Sequence, residues 1–69
     1  MTSSKRSITI KGHRTSVSVE GEFWEALAEI AGEDGTSVAK LVERIDETRG
    51  QKSLSAAIRA FVLVRARGT

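Results

Sequence analysis

The chain has 69 residues, a formal net charge of +2, one histidine and no cysteine. A chain this short buries only about 60% of the surface that it exposes when unfolded, so a monomer is marginal without a disulfide, a metal or a partner chain. Without cysteine it can form no disulfide and no thiolate metal site, and one histidine is too few for a histidine-rich site. We therefore expect no metal and no cofactor, and we expect self-association to supply the missing stability.

Hydrophobic residues make up 39% of the chain and charged residues 29%, which is typical of a folded globular domain. The longest apolar run, residues 60–64, is far too short to span a bilayer. The first residues lead into no long apolar run and do not resemble a secretory signal. We expect a cytoplasmic protein without membrane contact.

The charges are distributed unevenly along the chain. Residues 1–19 carry four bases and no acid, residues 20–34 carry six acids and no base, and residues 51–69 carry four bases and no acid. A basic N-terminal segment followed by an acidic helix indicates an anion-binding face and an opposite solvated face.

The first part of the chain is predicted to be extended. Ile8 and Ile10 are apolar at even positions, whereas Val17 and Val19 are apolar at odd positions. Because alternate residues of a strand point to opposite faces, this change of parity would swap the faces of one long strand. Gly12 therefore indicates a bend, bulge or turn, and two short strands fit better than one.

Three helices are predicted to follow. Apolar residues at helical spacing predict a helix from Glu22 to about Glu33, with Gly35 as its stop. Thr36 and Ser37 are suitable caps for a second helix, which ends near Gly50. A third helix, capped by a serine at position 53 or 55, continues to about residue 65.

A lone strand before helices has no partner within the chain unless the segment 8–10 folds back on it. Exposed strand edges are normally covered in soluble proteins. The same strand of a second copy, paired antiparallel across a two-fold axis, would cover the edge and enlarge the core. The sequence therefore favours a mostly α protein with one β-strand, assembled as an intertwined homodimer around a two-stranded antiparallel ribbon.

Several segments of the chain together resemble a known protein family. The alternating segment RTSVSV at 14–19, an amphipathic helix, the segment GTSV at 35–38 and a second amphipathic helix resemble the ribbon–helix–helix (Arc/methionine-repressor-like) DNA-binding family. The segment 12–20 with the following Phe-Trp pair resembles a short bacterial subfamily that has an extra C-terminal helix. The predicted organisation is a basic arm or short extra strand over 1–12, a ribbon–helix–helix core over 13–49, and a C-terminal helix packed on the core over 50–69.

The resemblance implies a homodimeric transcriptional regulator, expected to be a repressor, that inserts its ribbon into the major groove of double-stranded DNA. Base contacts are implied for Arg14, Ser16 and Ser18. Phosphate contacts are implied for Thr36 and Ser37 at the second helix, and the charges suggest further phosphate contacts from Lys5, Arg6 and Lys11. The implied dimer core consists of Val17, Val19, Phe23, Leu27, Ile30, Val38, Leu41, Val42 and Ile45. Such a protein would associate with the nucleoid when bound to DNA.

Other functions remain open on the sequence alone. Two of the three implied base-contacting residues are serines, shorter than the family often has, which leaves open a dimeric protein-interaction module that does not bind DNA. An antitoxin that represses its own operon is another alternative, although the expected apolar third helix is unlike a flexible toxin-wrapping tail. No enzyme is expected, because His13 has no cysteine to activate and would lie on the opposite strand face from Ser16.

Overall fold

The computed structural model describes residues 3–68. The elements in chain order are β1 (Ser3–Ile10), β2 (His13–Glu20), α1 (Gly21–Glu33), α2 (Val38–Thr48) and α3 (Leu54–Arg67). A two-stranded antiparallel ribbon followed by three helices confirms the fold that the resemblance implies. None of the helices in this part of the chain is long and apolar enough to cross a membrane.

A two-residue turn joins the strands into a hairpin. Ile10 lies opposite His13, and the two residues between them, Lys11 and Gly12, have φ angles of 51° and 82°. Two consecutive positive φ angles are typical of the type I′ turn, whose twist matches that of the flanking strands. Such a turn places even-numbered residues of β1 on the same face as odd-numbered residues of β2. The change of apolar parity at Gly12 is therefore the signature of this turn, as the sequence predicted.

The origin of the second strand corrects one prediction. The sequence was interpreted as one strand per chain, with the ribbon completed by a partner chain. In the structure the chain has two strands, and β1 pairs with β2 along its whole length, from Ser3 opposite Glu20 to Ile10 opposite His13. The physical reason is the tight turn, which brings neighbouring segments together with very little loop to close. Residues 1 and 2 of the predicted arm lie outside the described residues.

Backbone and side-chain caps define the ends of the helices. After α1, the amide of Thr36 donates to the carbonyl of Ala31 (2.9 Å) and that of Gly35 donates to Gly32 (3.3 Å), with Gly35 at φ 67°. This pair of bonds is the Schellman motif, which needs a left-handed residue and so favours glycine. Ser37 and Ser53 then cap α2 and α3, because each hydroxyl oxygen accepts an amide proton three residues ahead at 3.1 Å.

The core lies between the inner face of the hairpin and the three helices. Of the nine residues predicted for a dimer core, seven are buried within this single chain, whereas Phe23 and Val38 are half-buried. Trp24, Ala57 and Ile58 add to the core. The accessible surface of 4614 Å² is close to the roughly 4,200 Å² typical of a compact monomer of this mass. These residues therefore pack together within one chain, and their part in a dimer core stays a prediction.

Candidate nucleic-acid interface

The outer face of the hairpin is the exposed polar surface that the two strands share. We call it the ribbon face. It consists of three cross-strand rows: Thr9 with Arg14, Ser7 with Ser16, and Lys5 with Ser18; a fourth row on the same side of the strands, Ser3 with Glu20, ends the hairpin and is not counted in it. All six side chains are exposed. Their neighbours along the strands, Ile8, Ile10, Val17 and Val19, point inward and are buried. Because alternate residues of a strand point to opposite faces, one face of the hairpin packs on the helices and the other is open to solvent.

The ribbon face is cationic and contains no carboxylate. Lys5 and Arg14 lie at diagonally opposite corners, four residues apart along the strands, which corresponds to about 14 Å. Among residues 3–68, no ion pair engages either of these two cations. Four hydroxyl side chains fill the space between them. A surface of this kind suits an anionic partner whose edges offer hydrogen-bond groups.

Glu20 is the acid at the open end of the hairpin, and its charge is neutralised by Arg59 of α3. Arg59 of α3 donates from Nε to Oε1 of Glu20 at 3.0 Å and from Nη2 to Oε2 at 3.4 Å. The hydrogen bond from Arg59 lowers the pKa of Glu20 below its ordinary value. The pair therefore stays ionised at neutral pH, and the carboxylate is turned toward α3.

The structure separates the three cations that the sequence grouped as phosphate contacts. Only Lys5 lies on the ribbon face. Arg6 projects on the other side, where its guanidinium carbon lies 5.0 Å from the centre of the Trp24 ring, and Trp24 Nε1 donates to the carbonyl of Ser4 at 2.9 Å. Lys11, in the turn, donates from its amide to Glu43 (3.0 Å) and lies with its Nζ 3.3 Å from Glu47. Arg6 and Lys11 thus flank the ribbon and already have partners.

Thr36 and Ser37 lie at the start of α2, as predicted. The hydroxyl of Ser37 accepts from the amide of Lys40, and this leaves the amides of Val38 and Ala39 without a helical partner. No hydrogen bond within the described chain joins this helix start to the ribbon face. The structure therefore shows two separate candidate anion contacts, one on the strands and one at α2.

Two members of the ribbon face, Ser7 and Thr9, were missed from the sequence. They lie on β1, and the expected ribbon used only residues from 14 to 19. The parity change at Gly12 carried the necessary signal, because a two-residue turn fixes which β1 residue lies opposite each β2 residue.

The remaining titratable groups form no evident reactive site. Within residues 3–68, no three histidine, aspartate or glutamate side chains are grouped to hold a metal ion. His13 borders a groove of about 310 Å³ beside the hairpin turn, together with Asp46 and Arg49. Those two residues already pair with each other at 2.6 Å. His13 and Ser16 lie on opposite faces of β2, as the period of two requires.

Comparisons with known proteins agree with this geometry. The sequence matches the ribbon–helix–helix domain family over residues 3–66. The solved structure of an uncharacterized protein from Bordetella pertussis Tohama I is similar, with a TM-score of 0.77 and 33% identity over 90% of this chain and 54% of that one. This chain therefore spans about half the length of that protein, and no curated protein matches it. The family match covers almost the whole chain and the fold has the same ribbon and helices, so this protein belongs to the ribbon–helix–helix domain family, a family of DNA-binding regulators that are typically not enzymes.

Proposed function

We propose that the protein is a transcriptional regulator that binds duplex DNA by placing its ribbon face in the major groove. The observation that carries the proposal is the set of three exposed rows without an acid, with Lys5 and Arg14 at their corners, next to a Glu20 that is paired with Arg59. The major groove is about 12 Å wide and admits a two-stranded ribbon.

The residues of β2 are proposed to read the bases. Arg14 can donate two hydrogen bonds to O6 and N7 of guanine, a contact that discriminates between bases by about 1–3 kcal/mol. Ser16 and Ser18 are short, so they contact base edges directly only where the ribbon sits deep, and otherwise through ordered water. Lys5 contributes affinity by contacting a phosphate.

The start of α2 is proposed to hold a second phosphate. The unpaired amides of Val38 and Ala39 and the helix dipole both favour an anion there, and Thr36 and Ser37 add hydroxyl donors. Arg6 and Lys11 are proposed as supporting phosphate contacts. Their present partners form surface contacts worth about 1 kcal/mol or less, so a phosphate can replace them.

We further propose that the protein is a homodimer and acts as a repressor in the cytoplasm, on the nucleoid. Two observations support a second copy. The core of a 69-residue chain is small. In addition, Leu63 and Val64, adjacent on α3, are 56% and 71% exposed, and they offer an apolar surface that a second copy can cover. Sedimentation equilibrium of the wild type and of Val64→Glu tests this assembly, and a wild type that sediments as a monomer at micromolar concentration contradicts it.

Fluorescence anisotropy tests DNA binding. The probes are a duplex from the region upstream of the gene and a scrambled duplex of equal composition, each at two salt concentrations. We expect the upstream duplex to bind more tightly, with log K falling by about 0.9 per phosphate contact for each log unit of salt. Arg14→Ala should remove the preference. Arg67→Ala, which removes an exposed arginine at the far end of α3, is the matched control.

Two other outcomes carry distinct meanings. Equal binding to both duplexes that Arg14→Ala leaves unchanged would indicate a nonspecific electrostatic grip. An absence of binding to either duplex at low salt would contradict the proposal. It would favour a protein-interaction module, for which the groove between α2 and α3, lined by Phe61 and Val64 among others, is the apolar surface available.

A further inference from the structure

Glu20 lies on the same side of the hairpin as the residues that are proposed to contact DNA. It follows Ser18 at the period of two, so both side chains leave β2 on the same side. Lys5 lies opposite Ser18 and is therefore a diagonal neighbour of Glu20, a separation of about 7–8 Å that a long side chain can bridge. A free carboxylate at this position would repel DNA phosphates and would attract the ammonium group of Lys5 away from them.

Arg59 of α3 holds this carboxylate through both of its oxygens. The two hydrogen bonds, of 3.0 Å and 3.4 Å, form a bidentate pair that only an arginine can make. The guanidinium carbon of Arg59 also lies 6.0 Å from the centre of the Phe23 ring, so a contact with α1 helps to fix its position. The side chains of Glu20 and Arg59 are 24% and 40% exposed, so the pair lies at the surface, where its charges act on a partner in solution.

Other contacts already attach α3 to the rest of the protein. Ala57 and Ile58 are buried in the core. Ser55 donates its hydroxyl proton to the carbonyl of Ser18 at 2.9 Å, which joins α3 to β2 without any charge. Because partly exposed ion pairs add little to stability, what the Arg59–Glu20 pair changes most is the charge beside the ribbon face.

We propose that Arg59 is a determinant of DNA affinity that acts by masking the carboxylate of Glu20. The third helix thereby takes part in DNA binding although it lies outside the ribbon face. Arg59 is a positioning residue in this role, since it keeps a negative charge away from the phosphates and leaves Lys5 free to contact them. The inference rests on the DNA binding proposed above.

Electrostatic masking and mechanical support predict different results when both partners are replaced. If Arg59 masks a charge, removing the acid compensates for removing the arginine. If the pair instead holds β2 in place, either substitution breaks the same contact, and the double substitution binds no better than the single ones. The net charge of the double variant equals that of the wild type, so the comparison is not disturbed by total charge.

A double-mutant cycle measured by fluorescence anisotropy with the upstream duplex tests the proposal. Arg59→Met keeps a long side chain over Phe23 but unmasks Glu20, and it should weaken binding at low salt about 3- to 10-fold, a loss that shrinks at high salt. Glu20→Gln should bind at least as tightly as the wild type. The double variant should bind within about twofold of the wild type, because the two effects are coupled.

Two control variants separate masking from other effects. Arg65→Met removes the same charge from the same helix, but the acid that it frees, Asp34, follows α1 and is not on the hairpin. Ser55→Ala removes the uncharged contact between α3 and β2. Both should bind DNA like the wild type. Circular dichroism melting checks that each variant folds. If Arg59→Met does not fold, Arg59→Gln replaces it in the cycle, since glutamine still donates hydrogen bonds to Glu20 but carries no charge.

The outcomes separate this inference from the proposed function. If the wild type binds the duplex and the variant without Arg59 binds equally well, DNA binding stands and masking is wrong. A double variant as weak as the single one, or an equal loss of affinity in either control, also overturns the inference and leaves DNA binding in place. A wild type that binds no duplex at low salt contradicts both the inference and the proposed function.

Discussion

The two faces of the hairpin consist of alternate residues of the same two strands, yet they have opposite surroundings. On the inner face, Val17 and Val19 are almost fully buried under the helices. On the outer face, the side chains of Ser16 and Ser18 are exposed. A substitution on one face should therefore alter folding, whereas a substitution one residue away should alter only binding.

Val19→Asp and Ser18→Asp give the largest expected contrast. An aspartate at the fully buried position 19 has no partner, and burying an unpaired carboxylate costs several kcal/mol, which is most of the stability of a chain this small. Ser18→Asp places the same charge in water and should leave the unfolding temperature almost unchanged. Circular dichroism melting measures both, and a folded Val19→Asp variant would contradict the packing.

The same pair sharpens the functional side of the comparison. Ser18→Asp adds the first carboxylate between the cations of the ribbon face, so it should abolish binding to duplex DNA at low salt while the protein stays folded. Anisotropy with the upstream duplex measures this. Unchanged binding would show that the outer face is not the contact surface.

Gly12→Val should show the next largest effect on stability. Gly12 has a φ of 82°, which costs roughly 1–2 kcal/mol for a residue with a side chain and more for a branched one. Gly32→Ala is the matched control, because Gly32 is helical and a Cβ there meets nothing within 4 Å. It should stabilise the protein by roughly 0.5–1 kcal/mol. Urea unfolding measures both, and equal effects of the two substitutions would argue against the type I′ turn.

Substitutions of two exposed serines distinguish a role in helix capping from a role in DNA binding. Ser37→Ala removes the hydroxyl oxygen that accepts the amide of Lys40 and should lower the free energy of unfolding by about 1 kcal/mol. Ser16→Ala removes no contact seen in the protein and should change stability by less than about 0.5 kcal/mol. Its effect should appear only in DNA affinity. A loss of stability in Ser16→Ala equal to that in Ser37→Ala would contradict this assignment.

The smallest expected effect is the pH dependence that the Asp34–Arg65 pair gives to the stability of the fold. Arg65 donates to Asp34 at 2.8 Å, and this hydrogen bond lowers the pKa of Asp34. Because the pKa is lower in the folded protein, the pair stabilises the fold above the ordinary carboxyl range, and this contribution disappears as the pH falls through the lowered pKa. Arg65→Met should therefore flatten the decrease in unfolding temperature below about pH 4, where free carboxyls become protonated. A carboxyl titration by NMR should show the pKa of Asp34 rising in this variant.

Local patterns predicted much of the fold. Apolar spacing placed α1 within one residue of its start at Gly21, and the caps at Ser37 and Ser53 lie where serine precedes an apolar stripe. The outward positions of Arg14, Ser16 and Ser18 also follow from the period of two. These features depend on neighbours in sequence, which is why a single sequence was enough to predict them.

The candidate site was only partly predictable. Charge alone grouped Lys5, Arg6 and Lys11, but adjacent residues on a strand point to opposite faces, and Arg6 lies over Trp24 instead. Lys11 is held by α2, a contact between residues more than thirty positions apart. Interactions over such a separation leave no periodic trace in the sequence.

The sequence by itself determined the helices, their caps, the turn at Gly12 and the alternation that gives the hairpin a polar and an apolar face. Only the tertiary structure decided which strand pairs with β2 within the chain and which cations lie on the exposed face of the hairpin. The reason is that periodicity in the sequence shows only which way a side chain points. Strand pairing also depends on the entropy that the chain loses when two segments are brought together. Here β1, joined to β2 by a two-residue turn, is the strand that pairs with it within the chain.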